Sequence, residues 1–299
     1  MLTFFNNLFS RDEETQISKV DAVELSNDKD VKEPVVSSVS YSPRQIVFGT
    51  GQSIGMQRDH NEDALFALNM MLSEGTKEIP FGVFIVADGM GGHRDGDVAS
   101  GVVLRVFVDQ IMSSLFSRII SLSNEGEGDA IQEIMEKSVA AAQQVVIKEV
   151  PGGGTTLTAA LIIGTQVVFA HVGDSRAYFI SPDGSEIKVI THDHSLVQRL
   201  VDLGQITEEE AEVHPQRNVL YRAMGQPEPF KPDIHTHPLP SPGYILICSD
   251  GLWGQISEEE LTRLVVSSAN PSAACHELVK AANAAGGPDN ITAVLVQIF

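Results

Sequence analysis

The chain has 299 residues, 42% of them apolar, enough to bury a substantial core in one large domain or two small ones. Its 40 acidic against 20 basic residues give a formal charge of -20, which disfavours nucleic acid and anionic membrane surfaces and suits divalent cations or basic protein partners. Two cysteines, Cys248 and Cys275, sit in apolar or helical settings and indicate neither a disulfide framework nor a thiolate metal site; a reducing cytosol is expected, with no membrane span and no secretory leader.

In chain order, Met1 to Phe9 places Leu2, Phe4, Phe5, Leu8 and Phe9 at helical spacing, followed by a polar stretch without a sustained period. Residues 1–44 are therefore expected to be a flexible tail with a short apolar start. With almost no cations to hold it on a bilayer, Met1 to Phe9 is not expected to touch a membrane. Ordered structure is expected from Gln45. A short strand over IVFGTG, a turn over Ser53 to Arg58 and a strand over Asp63 to Leu68 enclose the charged connection RDHNED.

Phe81 to Ala87 is a continuous apolar run, the pattern of a strand covered on both faces, and it ends abruptly at Asp88-Gly89. A glycine-rich loop with His93 follows, then a long helix from Asp97 and a second over Asp129 to Val150. This loop is neither a dinucleotide turn, since arginine stands where the third glycine belongs, nor a P-loop, since Gly-Lys-Ser/Thr is missing. An acid at a strand end suits an oxygen-liganded metal.

Beyond Pro151 and three glycines, Thr155 to Ile163, Gln166 to Val172, Arg176 to Ile180 and Glu186 to Ile190 read as an antiparallel meander. Asp193 to Leu203 and Thr207 to Val213 read as short helices, with Asp193 as a helix start; the stretch through Pro229 is polar and irregular. His192 and His194 are not read as ligands, and His235 and His237 are expected to be exposed. Gly243 to Cys248 is another apolar strand, ending in Ser249-Asp250-Gly251; helices over Ser257 to Val266 and Pro271 to Ala285 follow, and Asn290 to Phe299 closes as a strand behind Asp289. Two helix pairs around largely antiparallel strands argue for an α+β fold with sheets inside and helices outside.

Asp88, Asp250 and Asp289 thus stand at strand ends, and Glu62-Asp63 begins another strand close to Arg58. Together they make a hard-oxygen ligand set without cysteine or HExxH, suited to Mg2+ or Mn2+ rather than zinc. The planar fork of Arg58 suits phosphate.

The blocks RDHNED, VADGMGGH, GGGTTLTAALI, AHVGDSRAY, THDHSLVQRL, HPQRNVLYRAMG, CSDGLW and PDNITAVLV occur in the order and approximate spacing of the metal-dependent serine/threonine protein phosphatases of type 2C, and most resemble the bacterial branch. The resemblance spans about Gln45 to Phe299 and makes 45–299 the phosphatase domain. It implies a four-layer α-β-β-α sandwich, two central antiparallel sheets flanked by helix pairs, with two Mn2+ or Mg2+ ions at one end. By motif, Asp88 would bridge the metals, the Gly89 carbonyl would ligate one, Asp250 and Asp289 would complete the other, Glu62 would act mostly through water and Asp63 would support from outside. Asp174 matches the residue that, with the counterpart of Asp250, holds a third ion in bacterial relatives.

The implied reaction is hydrolysis of phosphoserine and phosphothreonine in proteins by a metal-bridged water or hydroxide, with Arg58 holding the phosphate and no phosphoenzyme. Phosphorylated proteins, and a cognate serine/threonine kinase whose signal is reversed, are the partners this implies; the enzyme is expected to be a cytoplasmic monomer. Met90 replaces the histidine proposed as proton donor in eukaryotic relatives, leaving His93 as the nominated donor, with His60 or a metal-bound water as alternatives. Gly254 stands where some relatives carry another acid, thinning the third site. Leu203 to Pro229 matches the flap near the site, where substrate selection is expected. The competing readings are a non-catalytic phosphoprotein-binding module, which should have lost a core carboxylate and has not, and a dedicated phosphatase of a partner-switching pathway.

Overall fold

The computed structural model describes residues 45–74, 77–91, 95–120, 127–227 and 230–299. The elements, in order, are β1 (Ile46–Ser53), β2 (Ala64–Glu74), β3 (Lys77–Ala87), β4 (Gly89–Met90), α1 (Asp95–Ile120) and α2 (Glu127–Glu149). There follow β5 (Gly154–Thr155), β6 (Leu157–Ile163), β7 (Gln166–Val172), β8 (Arg176–Ile180), β9 (Ile187–Val189), α3 (Leu196–Asp202) and α4 (Glu208–Glu212). The chain ends with β10 (Asp233–Pro238), β11 (Gly243–Cys248), α5 (Asp250–Trp253), α6 (Glu258–Ser267), α7 (Pro271–Ala284) and β12 (Ile291–Ile298). The Met1 to Phe9 segment and His93 lie outside the described residues.

Two five-stranded antiparallel sheets form the centre, in the orders β1-β12-β11-β8-β9 and β10-β7-β6-β3-β2. Their continuous apolar strands have period-2 side chains with a covering on each face. In β3, Phe81, Val83 and Ile85 join Val103, Phe107 and Met135 of α1 and α2, while Phe84 and Val86 point into the space between the sheets. In β11 and β12, Leu246, Cys248, Ala293 and Leu295 meet α6 and α7, while Ile245, Ile247, Val294 and Val296 meet the other sheet. The result is the four-layer α-β-β-α arrangement expected. Among the described residues, Asp95–Leu115 is long and apolar enough to cross a membrane, but Ala99, Val102, Val103, Phe107 and Ile111 of that stretch are buried in the core under α2.

The antiparallel meander expected over Thr155 to Ile190 is corrected. β6 and β7 form a hairpin in one sheet, and β8 and β9 a hairpin in the other. The chain crosses between sheets at Gly173–Ser175, where Gly173 has φ +110 and a Cβ would lie 2.5 Å from Thr156 Cγ2. Only glycine fits there. Hydrophobic alternation fixes which face a strand buries but not which sheet it joins, so the crossing had no apolar signature.

Smaller differences have local causes. Thr156, fully occupied by hydrogen bonds, separates β5 from β6. The N-cap of α3 is Ser195, whose hydroxyl accepts from the Gln198 amide, not Asp193. β10 is an edge strand not read from the sequence, and its His237 is half-buried edge-on against Phe169 and Phe179, while His235 is exposed as expected.

Candidate active site

Strand register gathers the acids. Ala64 pairs with Ala87, so Asp63 and Asp88 leave adjacent strands at the same end. Cys248 pairs with both Arg176 and Ala293, so the ends carrying Asp250, Asp174 and the segment before β12 meet on the other sheet at one rim. Close approach there needs glycine: a Cβ on Gly89 would stand 2.5 Å from the Glu62 carbonyl, and one on Gly251 2.0 Å from that of Asn290.

Asp88 and Asp63 are held from behind. The Asp88 amide donates to Thr156 Oγ1 at 2.9 Å, and its carbonyl accepts from the Thr156 amide and from Thr155 Oγ1, both at 2.8 Å. Asp63 Oδ2 accepts from Ser249 Oγ at 2.9 Å and Thr292 Oγ1 at 2.6 Å. Asn290, buried, was missed in the sequence although it lies inside a quoted motif. Its Oδ1 accepts from the Glu62 amide at 2.8 Å, and its Nδ2 donates to the carbonyls of Ile54 and His60 at 3.0 and 2.9 Å. It fastens the RDHNED connection to the strand end that carries Asp289.

Arg58 lies at the rim, half exposed, with Nη2 2.7 Å from Asp289 Oδ2. His60 bridges Asp59 and Glu62, with Nδ1 2.5 Å from Asp59 Oδ1 and Nε2 3.0 Å from Glu62 Oε1; the bond to Asp59 and then that to Glu62 raise its pKa. Of the sequence-predicted site residues, Arg58, Glu62, Asp63, Asp88, Gly89, Asp174, Asp250 and Asp289 share this rim.

The electrostatics are unbalanced. Burial, and then the charges of Asp63, Asp250, Asp174 and Asp289, push the Asp88 carboxyl well above the ordinary carboxylate range. Burial likewise raises Asp63, Asp174 and Asp250, with neighbouring acids adding to it. Buried charges are normally paired; here Arg58 on Asp289, His60 on Glu62 and Arg176 near Asp174, itself forked to Asp193, are fewer than the acids. Asp63 Oδ1 and Asp250 Oδ1 are buried with no hydrogen-bond partner among the described residues. Among those residues no three acid or imidazole groups converge as a ready-made cage. The donor set, all oxygen, fits Mg2+ or Mn2+. A cavity of about 580 Å³ between the β8–β9 turn and α6 is lined by none of these acids, so donor chemistry rather than volume marks the site.

Two further features had no local sequence signal. Asp193 is buried and takes the guanidinium of Arg176 in a fork, Nε at 3.1 Å from both oxygens and Nη2 at 2.8 Å from Oδ2. His194, also buried, accepts from the Gly173 amide at Nδ1 and meets Asp233 through Nε2 at 3.1 Å, tying the crossing turn to β10.

The sequence model for the Protein phosphatase 2C family matches residues 49–291. The chain is 37% identical over 243 residues to a serine/threonine phosphatase stp of Listeria innocua, covering 81% of this chain and 92% of that one. Its fold superposes on the S. agalactiae serine/threonine phosphatase with a TM-score of 0.71 and 32% identity, over 85% of this chain and 99% of that one. It also superposes on the catalytic domain of the phosphatase PstP in complex with 2 manganese ions, with a TM-score of 0.67 and 29% identity, over 85% and 99%. A four-layer sandwich that gathers strand-end acids at one rim, and relatives of this identity along nearly their whole length, lead to one conclusion: the chain belongs to the protein phosphatase 2C family and is a serine/threonine protein phosphatase.

Proposed function

We propose that the strand-end acids would hold two Mn2+ or Mg2+ ions: Asp88 would serve both, the Gly89 carbonyl and, mostly through water, Glu62 would serve one, and Asp250 and Asp289 would complete the other. Asp174 with Asp250 would hold a third. The observation that carries this reading is the crowd of buried carboxyls, raised by burial and by one another, with Asp250 Oδ1 left without a partner among the described residues. Bound there, divalent cations supply positive charge that lowers the pKa of water toward neutrality and offsets charge on phosphoryl oxygens.

The chain's own residues do the rest. Arg58, open to solvent on part of its surface and held by Asp289 through Nη2, presents the rest of its planar fork to the phosphate. Asp63, fixed by Ser249 and Thr292, and Asn290 keep the carboxylates in place as substrate arrives. The proton for the departing serine or threonine oxygen is assigned to His93; His60, beside Glu62, is the alternative within the described residues.

Residues 45–299 are assigned as the catalytic domain and 1–44 as an appended tail. Phosphorylated proteins are the substrates; a cognate kinase, a cytoplasmic location and a monomeric enzyme complete the proposal. The segment Leu203 to Pro229 is assigned to substrate selection.

The test is hydrolysis of a phosphothreonine peptide by purified protein with Mn2+, Mg2+ or EDTA, alongside Asp88→Ala and Asp250→Ala. Turnover that needs the metal and is abolished by either substitution supports the assignment. Undiminished turnover in EDTA, or in either folded variant, refutes it. Comparing phosphopeptides with intact phosphorylated regulators separates a broad enzyme from one dedicated to a partner-switching pathway.

A further inference from the structure

Asp174 and Asp250 come from different elements, the β7–β8 crossing and the first turn of α5; the β8–β11 pairing brings these ends together but stops short of both acids, at Arg176 and Cys248. Trp253 does reach both. It closes α5, the four-residue helix that Asp250 opens, and its indole Nε1 donates to the Asp174 carbonyl at 3.0 Å. Arg176, two residues after Asp174, lays its guanidinium over the indole with Cζ 3.6 Å from the ring centroid, and the same guanidinium is locked by the Asp193 fork. A cation over an aromatic face and a two-point ion pair both restrict orientation as well as adding energy. Each end of the crossing turn is thereby tied to α5: the Asp174 carbonyl by a hydrogen bond, Arg176 by stacking.

We propose that Trp253 and Arg176 form a clamp that sets the spacing of Asp174 and Asp250, making both positioning residues for the cation those two acids would share. The inference rests on the reading of Asp174 and Asp250 as cation ligands given above. Partners behind metal ligands fix ligand orientation, and their loss typically lowers metal affinity about 10- to 100-fold.

Trp253 is the chain's single tryptophan, so its fluorescence reports on this turn without labelling. EDTA-stripped, then buffer-exchanged full-length protein is titrated with Mn2+ and followed by tryptophan emission and by calorimetry, with far-UV circular dichroism as the folding control. Asp174→Asn identifies the part of the titration that belongs to this pair of acids. Arg176→Lys keeps the charge but loses the fork and the flat stacking surface, and keeps the emission signal. Trp253→Phe keeps a ring for the stack but loses the N–H, and is read by calorimetry alone. The expected result is that the Asp174-dependent phase moves to Mn2+ concentrations about 10-fold higher or more in both clamp variants, while the remaining binding is unchanged. If Asp174→Asn alters the titration but both folded clamp variants bind as wild type does, the clamp is refuted and the ligand assignment stands. If Asp174→Asn changes nothing, the ligand assignment at Asp174 fails and the clamp falls with it.

Discussion

The layer between the two sheets and the rim at their ends are built from the same strands and obey opposite rules. Between the sheets, Phe84, Phe169, Ile245, Ile247 and Val294 are buried with apolar neighbours, and each adds to stability. One or two residues further along β3 and β11, Asp88 and Asp250 sit among other acids, where burial and mutual repulsion oppose folding. The strands, buried on both faces, fix the ends from which these acids project. Stability made in the core thus sustains a rim of crowded acids, a division of labour in which stability and activity pull against each other.

Substitutions break that comparison in opposite directions. Asp88→Asn is expected to lower kcat/KM on a phosphothreonine peptide on the order of a thousandfold, because cation stabilisation of the reacting phosphate amounts to several kcal/mol. The same change is expected to raise the Tm of the metal-free protein, by roughly 2–4 °C for each kcal/mol of repulsion removed. Phe84→Ala should do the reverse: a loss of about 3–5 kcal/mol in denaturant unfolding, with kcat of the folded fraction unaltered.

Asn290→Ala tests the seam between the two regions. It removes one acceptor and two donor bonds around the RDHNED connection and should cost about 1–3 kcal/mol. It should also weaken Mn2+ activation, measured as the metal concentration for half-maximal rate. An unchanged metal requirement would confine Asn290 to stability.

The pH dependence distinguishes the regions by sign. The rim acids have folded pKa values raised above the ordinary 3.8, so from about pH 4 upward the metal-free folded state binds more protons than the unfolded one. Stability then falls as pH rises through that window. The stability gained by Asp88→Asn in EDTA should therefore grow as pH rises above about 4 and vanish below it. His171, buried between Thr158 Oγ1 and the His192 carbonyl, behaves in the opposite sense. Burial first, then His194, lowers its pKa to about 3 from 6.5. The stability that comes with a neutral His171 is present above about pH 6.5 and is lost as pH falls toward about 3. Unfolding of His171→Gln relative to wild type across that range checks this, and a pH-independent difference would contradict it.

Much of this was legible in the chain because apolar runs bounded by Asp-Gly are local signals. β7, β8 and β11 lie where the runs placed them, and the strand-end acids follow from those bounds. What the sequence hid is nonlocal. The sheet switch at Gly173 depends on which partner a strand finds. Asp193 has the look of a cap, yet its partner Arg176 lies 17 residues back. β10 reads Asp-Ile-His-Thr-His-Pro, without apolar alternation, and is a strand through its pairing with the β7 edge. Asn290 and Trp253 stood inside quoted motifs, but their partners lie as far off as residue 54 and residue 174.

On the proposed reading, the rim is an acid cluster that a divalent cation completes. The most direct measurement is thermal unfolding of wild type and Asp88→Asn near pH 7, each in EDTA and in Mn2+. Mn2+ is expected to raise the wild-type Tm, Asp88→Asn to melt higher than wild type in EDTA, and Mn2+ then to add less to it. Equal melting of the two proteins in EDTA, with no response of wild type to Mn2+, would contradict that reading.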